Sequence, residues 1–394
     1  MKKVTAFLVL IMLVGAGCSR QTAISNQIGT SHFGRLVGGP VTESFIAGGW
    51  VRPHPGPFWW DQIETSQDVY EWSQADQTVQ YWQARHQAIL ATLWPFAQWD
   101  QERCRAKEPK VKNPFGSGLA HLGDVCHNDS FQEWVQKVVE RYDGDGFDDM
   151  PGLKYPITHW EVGNEPDLQT KDITFFQSGP NGYVDVLRLA REVILKADSN
   201  AVIVPAGMSG MQNQAQTYWR TVLQSGHDLM TMGNVHSIGA SEDFFARDYR
   251  LFLNSANLKD IPFWMTEALV GSQEQEWSDE QKAPQTLIGY ASAFASGAQV
   301  IFDVGKNDPT GGPGEPAEQT FQRVVQQLDH FEKADWLDKS VVRFTIGRRT
   351  VYVLWAGAEL PEDVKGRVTV WTYDGKESLV DARSVKAEVP MFAY

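Results

Sequence analysis

Two glutamates, each at the end of an apolar β-rich segment, are the first candidates for chemistry in this chain. Glu165 closes the stretch WEVGNEPD (160–167), and Glu267 lies in PFWMTEA (262–268). A strand does not need a carboxylate at its end, so we interpret both side chains as catalytic candidates. Two carboxylates can cleave a glycosidic bond when one is protonated and assists the leaving oxygen while the other is ionised and attacks the anomeric carbon.

Eight short β-rich segments, separated by helical ones, would have to position these glutamates. They are 28–34, 49–55, 88–94, 157–165, 201–207, 233–239, 262–268 and 298–305. The intervening segments with helical apolar periodicity are 130–142, 182–197, 283–297 and 316–331. Eight alternations predict an α/β fold, a parallel (β/α)8 TIM barrel, in which the fourth and seventh strands bring both glutamates to one mouth. The rival, an open doubly wound sheet, would need a Gly-rich phosphate turn that the sequence lacks.

The two glutamate motifs together resemble those of the retaining glycoside hydrolases of clan A. The match extends to VRPHPGPFWWDQIE (51–64) followed by YEWSQAD (70–76), and covers roughly residues 28 to 335. The resemblance implies a (β/α)8 barrel that hydrolyses a glycosidic bond with retention of configuration, by way of a covalent intermediate.

The resemblance also assigns roles to individual residues. Glu165 would be the general acid/base and Glu267 the nucleophile. Asn164 would hold the sugar 2-hydroxyl, and His236 matches a histidine that lies near the substrate in several families of the clan. Ile238 differs from the clan, because a tyrosine that bonds the nucleophile often stands there.

The sequence allows two roles for Arg52. The resemblance makes it the residue that steadies the charge of Glu267. From the residues alone it could equally be a core ion-pair partner of Glu161, which four residues of strand place about 13 Å below Glu165.

Aromatic residues are concentrated just past the second and third predicted strands. The chain contains 15 tryptophans, and exposed indoles at the mouth of a cleft stack on sugar faces. We expect two or more of this cluster to line a sugar-binding cleft and the others to cover hydrophobic edges. The predicted substrate-binding residues here are His54, Trp59, Trp60 and Trp94, with Trp99 nearby.

Other acidic residues have less specific patterns. Glu274 and Glu276 follow the seventh strand and are expected to be solvated loop residues. The stretch DGDGFDD (143–149) resembles a calcium loop but fails the EF-hand spacing, so a helix-ending turn is favoured and calcium is the alternative. No histidines and cysteines have zinc spacing. We therefore predict neither metal nor cofactor.

The N-terminus has the order of a signal peptide. Lys2 and Lys3 precede the apolar run 4–14, which is too short to span a bilayer. Cys18 resembles the lipid-acceptor cysteine of bacterial lipoproteins. We expect residues 1–17 to be removed and the mature chain to be exported to the cell envelope, with the membrane contacted only through this lipid, or to be secreted.

Export changes the expectation for the remaining cysteines. Cys104 and Cys126 are the only two besides Cys18, and an oxidising compartment favours a disulfide between them over metal binding. Two unrelated free thiols are the alternative.

Length and charge limit the domain organisation and the partners. The 394 residues carry a formal net charge of −14 and no basic run, which excludes nucleic acid as a partner. We expect a monomeric barrel over 18–337 and, over 338–394, a small antiparallel β module packed on it.

The sequence thus predicts a retaining β-glycoside hydrolase acting on an oligo- or polysaccharide. The alternative from another class is a carbohydrate-binding barrel that has lost catalysis. An aldolase or a metal-dependent hydrolase would need a strand-end lysine or a histidine cluster, and the sequence shows neither.

Overall fold

The computed structural model describes residues 28–37, 48–107, 122, 124–169, 174–240, 243–271, 277–304 and 315–394. The predicted signal peptide, Cys18, Glu274 and Glu276 lie outside the described residues. Within these ranges, no helix combines the length and the apolar character needed to cross a membrane.

Eight parallel strands form the barrel, as the sequence predicts. The order of neighbours is β5-β4-β3-β2-β1-β8-β7-β6, and a parallel bridge between Met208 and Val235 joins the two ends. The closed sheet therefore brings the carboxyl ends of all eight strands to one face. The strands are β1 Phe33–Val37, β2 Trp50–Pro53, β3 Ala88–Leu93, β4 His159–Val162, β5 Val202–Pro205, β6 Gly233–Ala240, β7 Phe263–Val270 and β8 Ala298–Val304.

Helices surround the barrel, and their apolar faces pack against the strands. In α4, for example, Phe131, Val135, Val138 and Tyr142 recur at helical spacing and are buried. The helices are α1 Trp60–Ile63, α2 Ser73–Gln83, α3 Gln98–Arg105, α4 Asn128–Tyr142, α5 Gly179–Ala197, α6 Asn213–Ser225, α7 Ala246–Ser255, α8 Asp279–Ala295 and α9 Glu315–Leu328. The four predicted helices correspond to α4, α5, α8 and α9.

Two predicted strand boundaries are wrong by three residues or more, and each predicted strand contains a glycine with a positive φ. Gly29 has a φ of +85°, which a strand does not allow, and the first strand begins at Phe33 instead of residue 28. β4 ends at Val162 because Gly163 has a φ of +78°. Glu165 therefore lies in a turn three residues beyond the strand.

A six-stranded antiparallel sheet follows the barrel and confirms the predicted β module. Val342, Phe344 and Phe392 from this sheet belong to the same hydrophobic cluster as the barrel core. Its neighbours run β9-β10-β11-β14-β12-β13. The strands are β9 Lys333–Asp338, β10 Val341–Ile346, β11 Arg349–Leu354, β12 Arg367–Thr372, β13 Glu377–Asp381 and β14 Met391–Ala393.

The sheet starts earlier than the predicted boundary at residue 338. Its first strand, β9, is an edge strand with half-buried and exposed residues, and Lys333 pairs with Asp335 along it at 2.8 Å. A polar edge strand lacks the apolar run by which strands are found in a sequence.

Candidate active site

Glu165 and Glu267 meet at the C-terminal face of the barrel. Glu267 lies in β7 and is 9% exposed, whereas Glu165 follows β4 with a φ of +40°, in the left-handed region. A non-glycine residue in that region costs on the order of 1–3 kcal/mol, and such strain is concentrated at functional sites. A carboxylate oxygen of Glu165 lies within 4.8 Å of one of Glu267.

Arg52, on β2, connects the floor of the site with its mouth. The guanidinium is fully buried, and it donates from Nε to Glu161 Oε2 at 2.6 Å and from Nη1 to Glu267 Oε1 at 2.7 Å. Nη2 donates to Asn164 Oδ1 at 2.6 Å. Burial opposes the charge of Arg52, but Glu161 and Glu267 together raise its pKa above the usual range. Arg52 therefore makes both predicted contacts, the ion pair with Glu161 and the hydrogen bond to Glu267.

Glu161 is a completely buried charge whose oxygens are all bonded. Besides Arg52, it accepts hydrogen bonds from Thr92 Oγ1 at 2.5 Å and from Asn234 Nδ2 and Thr266 Oγ1 at 2.8 Å. A buried carboxylate persists only with such partners. Its place below the mouth agrees with the interpretation of Glu161 as a structural charge.

His236, on β6, contacts the acid/base candidate directly. Its Nδ1 lies 2.8 Å from Glu165 Oε1 and 3.7 Å from Glu267 Oε1. Its Nε2 lies 2.9 Å from Thr266 Oγ1. Burial lowers the pKa of His236, but the charge of Glu267 and the hydrogen bond and charge of Glu165 outweigh it, so the pKa is raised.

The hydrogen-bond network below His236 assigns its tautomer. The Asn234 amide is oriented by Nδ2, which donates to Glu161, and by Oδ1, which accepts from the Thr266 backbone N–H at 3.2 Å. We assign the Thr266 hydroxyl hydrogen to Glu161 Oε1, a carboxylate oxygen 2.8 Å away that can only accept. On that assignment the Thr266 oxygen accepts from His236 Nε2–H at 2.9 Å. In the neutral ring, Nδ1 is then the acceptor that faces Glu165, and one hydrogen bond of 2.8 Å joins the two residues.

His54, at the end of β2, places a neutral ring beside the nucleophile candidate. Its Nδ1 lies 3.1 Å from Arg52 Nη1, which donates, and 3.8 Å from Glu267 Oε1. Burial, with the charges of Arg52 and His236, lowers the pKa of His54 to about 3 in spite of Glu267.

The three predicted cleft tryptophans expose none of their surface, which corrects the expectation that they line an open cleft. Trp59 and Trp94 stack on each other with ring centroids 4.5 Å apart, and the Trp94 ring lies 5.8 Å from His54. Trp60 packs on Trp134 of α4 at 5.9 Å. The indole of Trp60 therefore lies in the layer between the strands and α4. Trp94 and Trp59 thus support the wall behind His54, and Trp60 belongs to the core.

Two residues of the network were not predicted from the sequence. Asn234 and Thr266 lie on β6 and β7 and are fully buried. Asn234 and His236 are two residues apart on one strand, so they point to the same side of the sheet. Polar side chains at alternating positions of an otherwise buried strand were the signal available for finding them.

The predicted disulfide between Cys104 and Cys126 is present in the structure. The two Cα atoms are 6.0 Å apart and the residues are separated by 22 positions in the sequence. The bond connects α3 with the residues that precede α4. Asp100 of α3 also accepts from the backbone N–H groups of Cys126 and His127.

Comparison with known proteins gives structural likenesses only. No family model and no curated protein matches the chain. A family 39 glycoside hydrolase from Bacteroides cellulosilyticus WH2 superposes with a TM-score of 0.63 at 14% identity, covering 92% of this chain and 80% of that one. A family 39 β-xylosidase from Caulobacter crescentus (TM-score 0.58) and a glucosidase from Croceicoccus marinus (0.56) each share 12% identity over 87% of this chain and 88% of theirs.

At these identities the likeness establishes the fold. The chain has a (β/α)8 barrel fold like that of these glycoside hydrolases, with an antiparallel sheet after the barrel. The resemblance predicted from the two glutamate motifs is confirmed at that level.

Proposed function

We propose that this protein is a retaining β-glycoside hydrolase that acts on an oligo- or polysaccharide by double displacement. The observation that carries the proposal is the convergence of Glu165 and Glu267, with oxygens within 4.8 Å, at the C-terminal end of a closed barrel. Retaining enzymes hold their carboxyl groups about 5–5.5 Å apart, and inverting enzymes about 6.5–9.5 Å, to admit a water. The 4.8 Å limit joins one oxygen of each residue and not the centres of the two carboxyl groups, and so close an approach is nearer to the retaining arrangement.

Glu267 is the nucleophile in this proposal. Arg52 Nη1, at 2.7 Å, balances the negative charge of Glu267 and orients one of its oxygens, which leaves the other to attack the anomeric carbon. Asn164 is positioned by the same guanidinium through Oδ1, so its Nδ2 is directed to donate to the sugar 2-hydroxyl.

Glu165 is the general acid/base. It gives the proton of its hydrogen bond with His236 to the leaving oxygen, and in the second step it takes a proton from the attacking water. The fixed tautomer of His236 keeps Nδ1 available for that exchange.

The rival function is carbohydrate binding without turnover. The complete set of Arg52, Glu165 and Glu267 favours an enzyme, because a binding site has no need for two carboxylates at this distance. The names of the structurally similar proteins, a β-xylosidase and a glucosidase, agree with glycosidase chemistry.

The test is hydrolysis of a panel of β-linked glycans and aryl glycosides, with the anomer of the first-formed product read by proton NMR. We expect retention. Glu267→Ala should abolish turnover on every substrate, because no covalent intermediate can form. Glu165→Ala should spare the glycosylation step for aryl glycosides whose leaving group needs no proton. Glu192→Gln, an exposed change on α5, is the matched control and should behave as the wild type.

Three outcomes would contradict the proposal. An inverted first product would exclude double displacement. Equal loss of the glycosylation step in folded Glu165→Ala and Glu267→Ala would overturn the division of roles. Binding of a glycan without hydrolysis of any panel member would favour the rival.

We also propose that the chain is exported and anchored by a lipid on Cys18, which rests on the N-terminal sequence alone. Cys18→Ala should move the protein from the detergent phase to the aqueous phase in a partition assay. Equal partition of the two forms would disprove the anchor.

A further inference from the structure

Three carboxylates gather where α4 ends, on the outside of the barrel. Glu140 lies in the last turn of the helix, Asp143 is its C-cap residue, and Asp145 follows two positions later. One oxygen from each lies within 4.8 Å of the other two. The C-terminal end of a helix already carries partial negative charge, which makes anionic side chains there unfavourable. The three carboxylates therefore add negative charge to the C-terminal end of α4, where the backbone carbonyls already carry partial negative charge.

The cations of α4 do not compensate these three carboxylates. Lys137 pairs with Glu133 at 2.8 Å, and Arg141 pairs with Asp76 at 2.6 Å. Throughout the described ranges, no lysine or arginine forms an ion pair with any of the three. Among the described residues, the three carboxylates therefore have no lysine or arginine nitrogen within 4 Å to balance their charge.

Asp143 provides the second observation. It is only 9% exposed, and its Oδ2 is buried without a hydrogen-bond partner among the described residues. Its Oδ1 accepts a single bond, from the backbone N–H of Asp145 at 3.3 Å. A buried carboxylate oxygen without a donor is unfavourable unless something positive meets it. Burial, aided by the neighbouring carboxylates, raises the pKa of Asp143 to about 7.

We propose that Glu140, Asp143 and Asp145 bind a calcium ion. The donors are all carboxylate oxygens, which suit a hard cation, and no histidine or cysteine is present for zinc. Calcium bonds are about 2.3–2.6 Å long and tolerate irregular geometry, so one ion can reach oxygens within 4.8 Å of one another. The site differs from an EF-hand, whose spacing the stretch 143–149 lacks, because the last turn of a helix supplies Glu140. This proposal is independent of the proposed glycosidase function.

The position of the site indicates what the ion would stabilise. Residues 143–158 connect α4 to β4, the strand that leads to Glu165. This connection is held to the helix end by two backbone bonds, from Met150 N–H to Arg141 O at 2.8 Å and from Ile157 N–H to Tyr142 O at 2.7 Å. A calcium ion on Asp143 and Asp145 would fix the start of the connection to the helix. Calcium should therefore raise the stability of the whole barrel.

The test uses the full chain after treatment with EDTA. Titration with Ca²⁺ should give a saturable heat in calorimetry, and about 5 mM Ca²⁺ should raise the melting temperature by several degrees. Tb³⁺, a luminescent substitute for Ca²⁺, should give emission sensitised by Tyr142, which adjoins Asp143, and by Trp72, whose ring lies 6.4 Å from that of Tyr142. Added Ca²⁺ should displace this emission.

The variants separate binding from folding. Asp143→Asn keeps the shape of the side chain and removes one negative charge, so without calcium it should melt at or above the wild-type temperature while its response to Ca²⁺ is lost. Glu140→Gln should lose the response as well. Glu133→Gln, on the same helix and outside the cluster, should keep it.

Two results would overturn the proposal. The first is a wild-type protein without saturable Ca²⁺ heat and Tb³⁺ emission, or with the same melting shift in MgCl₂ or NaCl of equal ionic strength. The second is a full calcium response in Asp143→Asn.

Discussion

Arg52 is a single buried cation between two carboxylates with different tasks. Glu161 belongs to the floor of the barrel and Glu267 to the mouth, and both accept from the same guanidinium at 2.6–2.7 Å. A buried ion network of this kind is strongly destabilised when one member is removed, because the remaining charges keep the cost of desolvation. The stability of the barrel and the orientation of the nucleophile candidate therefore depend on one residue.

We predict that Arg52→Met lowers the free energy of unfolding by about 3–5 kcal/mol, since it leaves Glu161 and Glu267 without their counterion. Denaturant unfolding measures the change. Arg343→Met is the control, because Arg343 pairs with Asp335 at the surface and the same substitution there should cost about 1 kcal/mol or less. A loss for Arg52→Met no larger than that of the control would contradict the assigned network.

Thr266 determines which nitrogen of His236 carries the proton. Thr266→Val keeps the shape of the side chain but leaves His236 Nε2 and Glu161 each without one partner. We expect kcat to fall by roughly tenfold or more with a smaller change in KM, because proton transfer is impaired more than binding. The pH profile should shift as well.

Thr286→Val is the matched control for that change. Thr286 is equally buried, but its hydroxyl donates to the Lys282 carbonyl within α8. If both threonine variants have the same kcat and pH profile, the tautomer of His236 has no part in the reaction.

At the scale of residues, the sequence predicts that Glu165 and Glu267 lie near each other, and they do, but the expected exposure of the tryptophans is wrong. Glu165 and Glu267 were found because a carboxylate at the end of an apolar strand is unusual. Trp59, Trp60 and Trp94 have no such signature, since a tryptophan beyond a strand can turn to the mouth or into the helical layer. That choice depends on backbone direction over a few residues.

At the scale of elements, the connection between β3 and α4 is held by the disulfide and by Asp100. The double variant Cys104→Ser, Cys126→Ser should lose about 3 kcal/mol of unfolding free energy, because the bond closes a loop of some 22 residues in the unfolded chain. Denaturant unfolding of the oxidised wild type and of the variant measures the loss.

Dithiothreitol provides the internal control for that experiment. The reduced wild type should unfold at the same denaturant concentration as the double variant, and the variant should not respond to the reductant. A variant as stable as the oxidised wild type would show that the bond does not stabilise the fold.

The elements themselves were largely predictable, for a physical reason. Strands buried on both faces of a parallel barrel are short apolar runs, and the amphipathic helices between them repeat at 3.6 residues. The strand boundaries and the strand that were not predicted depend on local backbone conformation or have a weak sequence pattern. Gly163 ends β4 through a positive φ, Gly29 has a positive φ where the first strand was predicted, and β9 is a polar edge strand.

For the molecule as a whole, the antiparallel sheet extends the barrel core. Phe344 of β10 packs against Phe331, which follows α9, with ring centroids 5.3 Å apart, and Trp336 of β9 donates from Nε1 to Ser296 Oγ, just after α8, at 3.4 Å. The same hydrophobic cluster continues from the strands of the barrel into this sheet. Unfolding of either part therefore exposes core of the other.

His159 should make the stability of this molecule sensitive to acid. His159, at the N-terminal end of the barrel, stacks on Trp264 at 4.9 Å, and burial lowers its pKa to about 4 from 6.5. Between those values the unfolded chain binds the proton and the folded chain does not, so stability falls as the pH drops from 6.5 to 4, by up to about 3 kcal/mol. His159→Phe keeps an aromatic ring there without a titrating group, and its unfolding free energy should fall less steeply over that range.

His227→Phe, at an exposed position, is the control and should retain the wild-type dependence of unfolding free energy on pH. Denaturant unfolding at a series of pH values measures the slopes, and equal slopes for His159→Phe and the wild type would show that another group controls the response to acid.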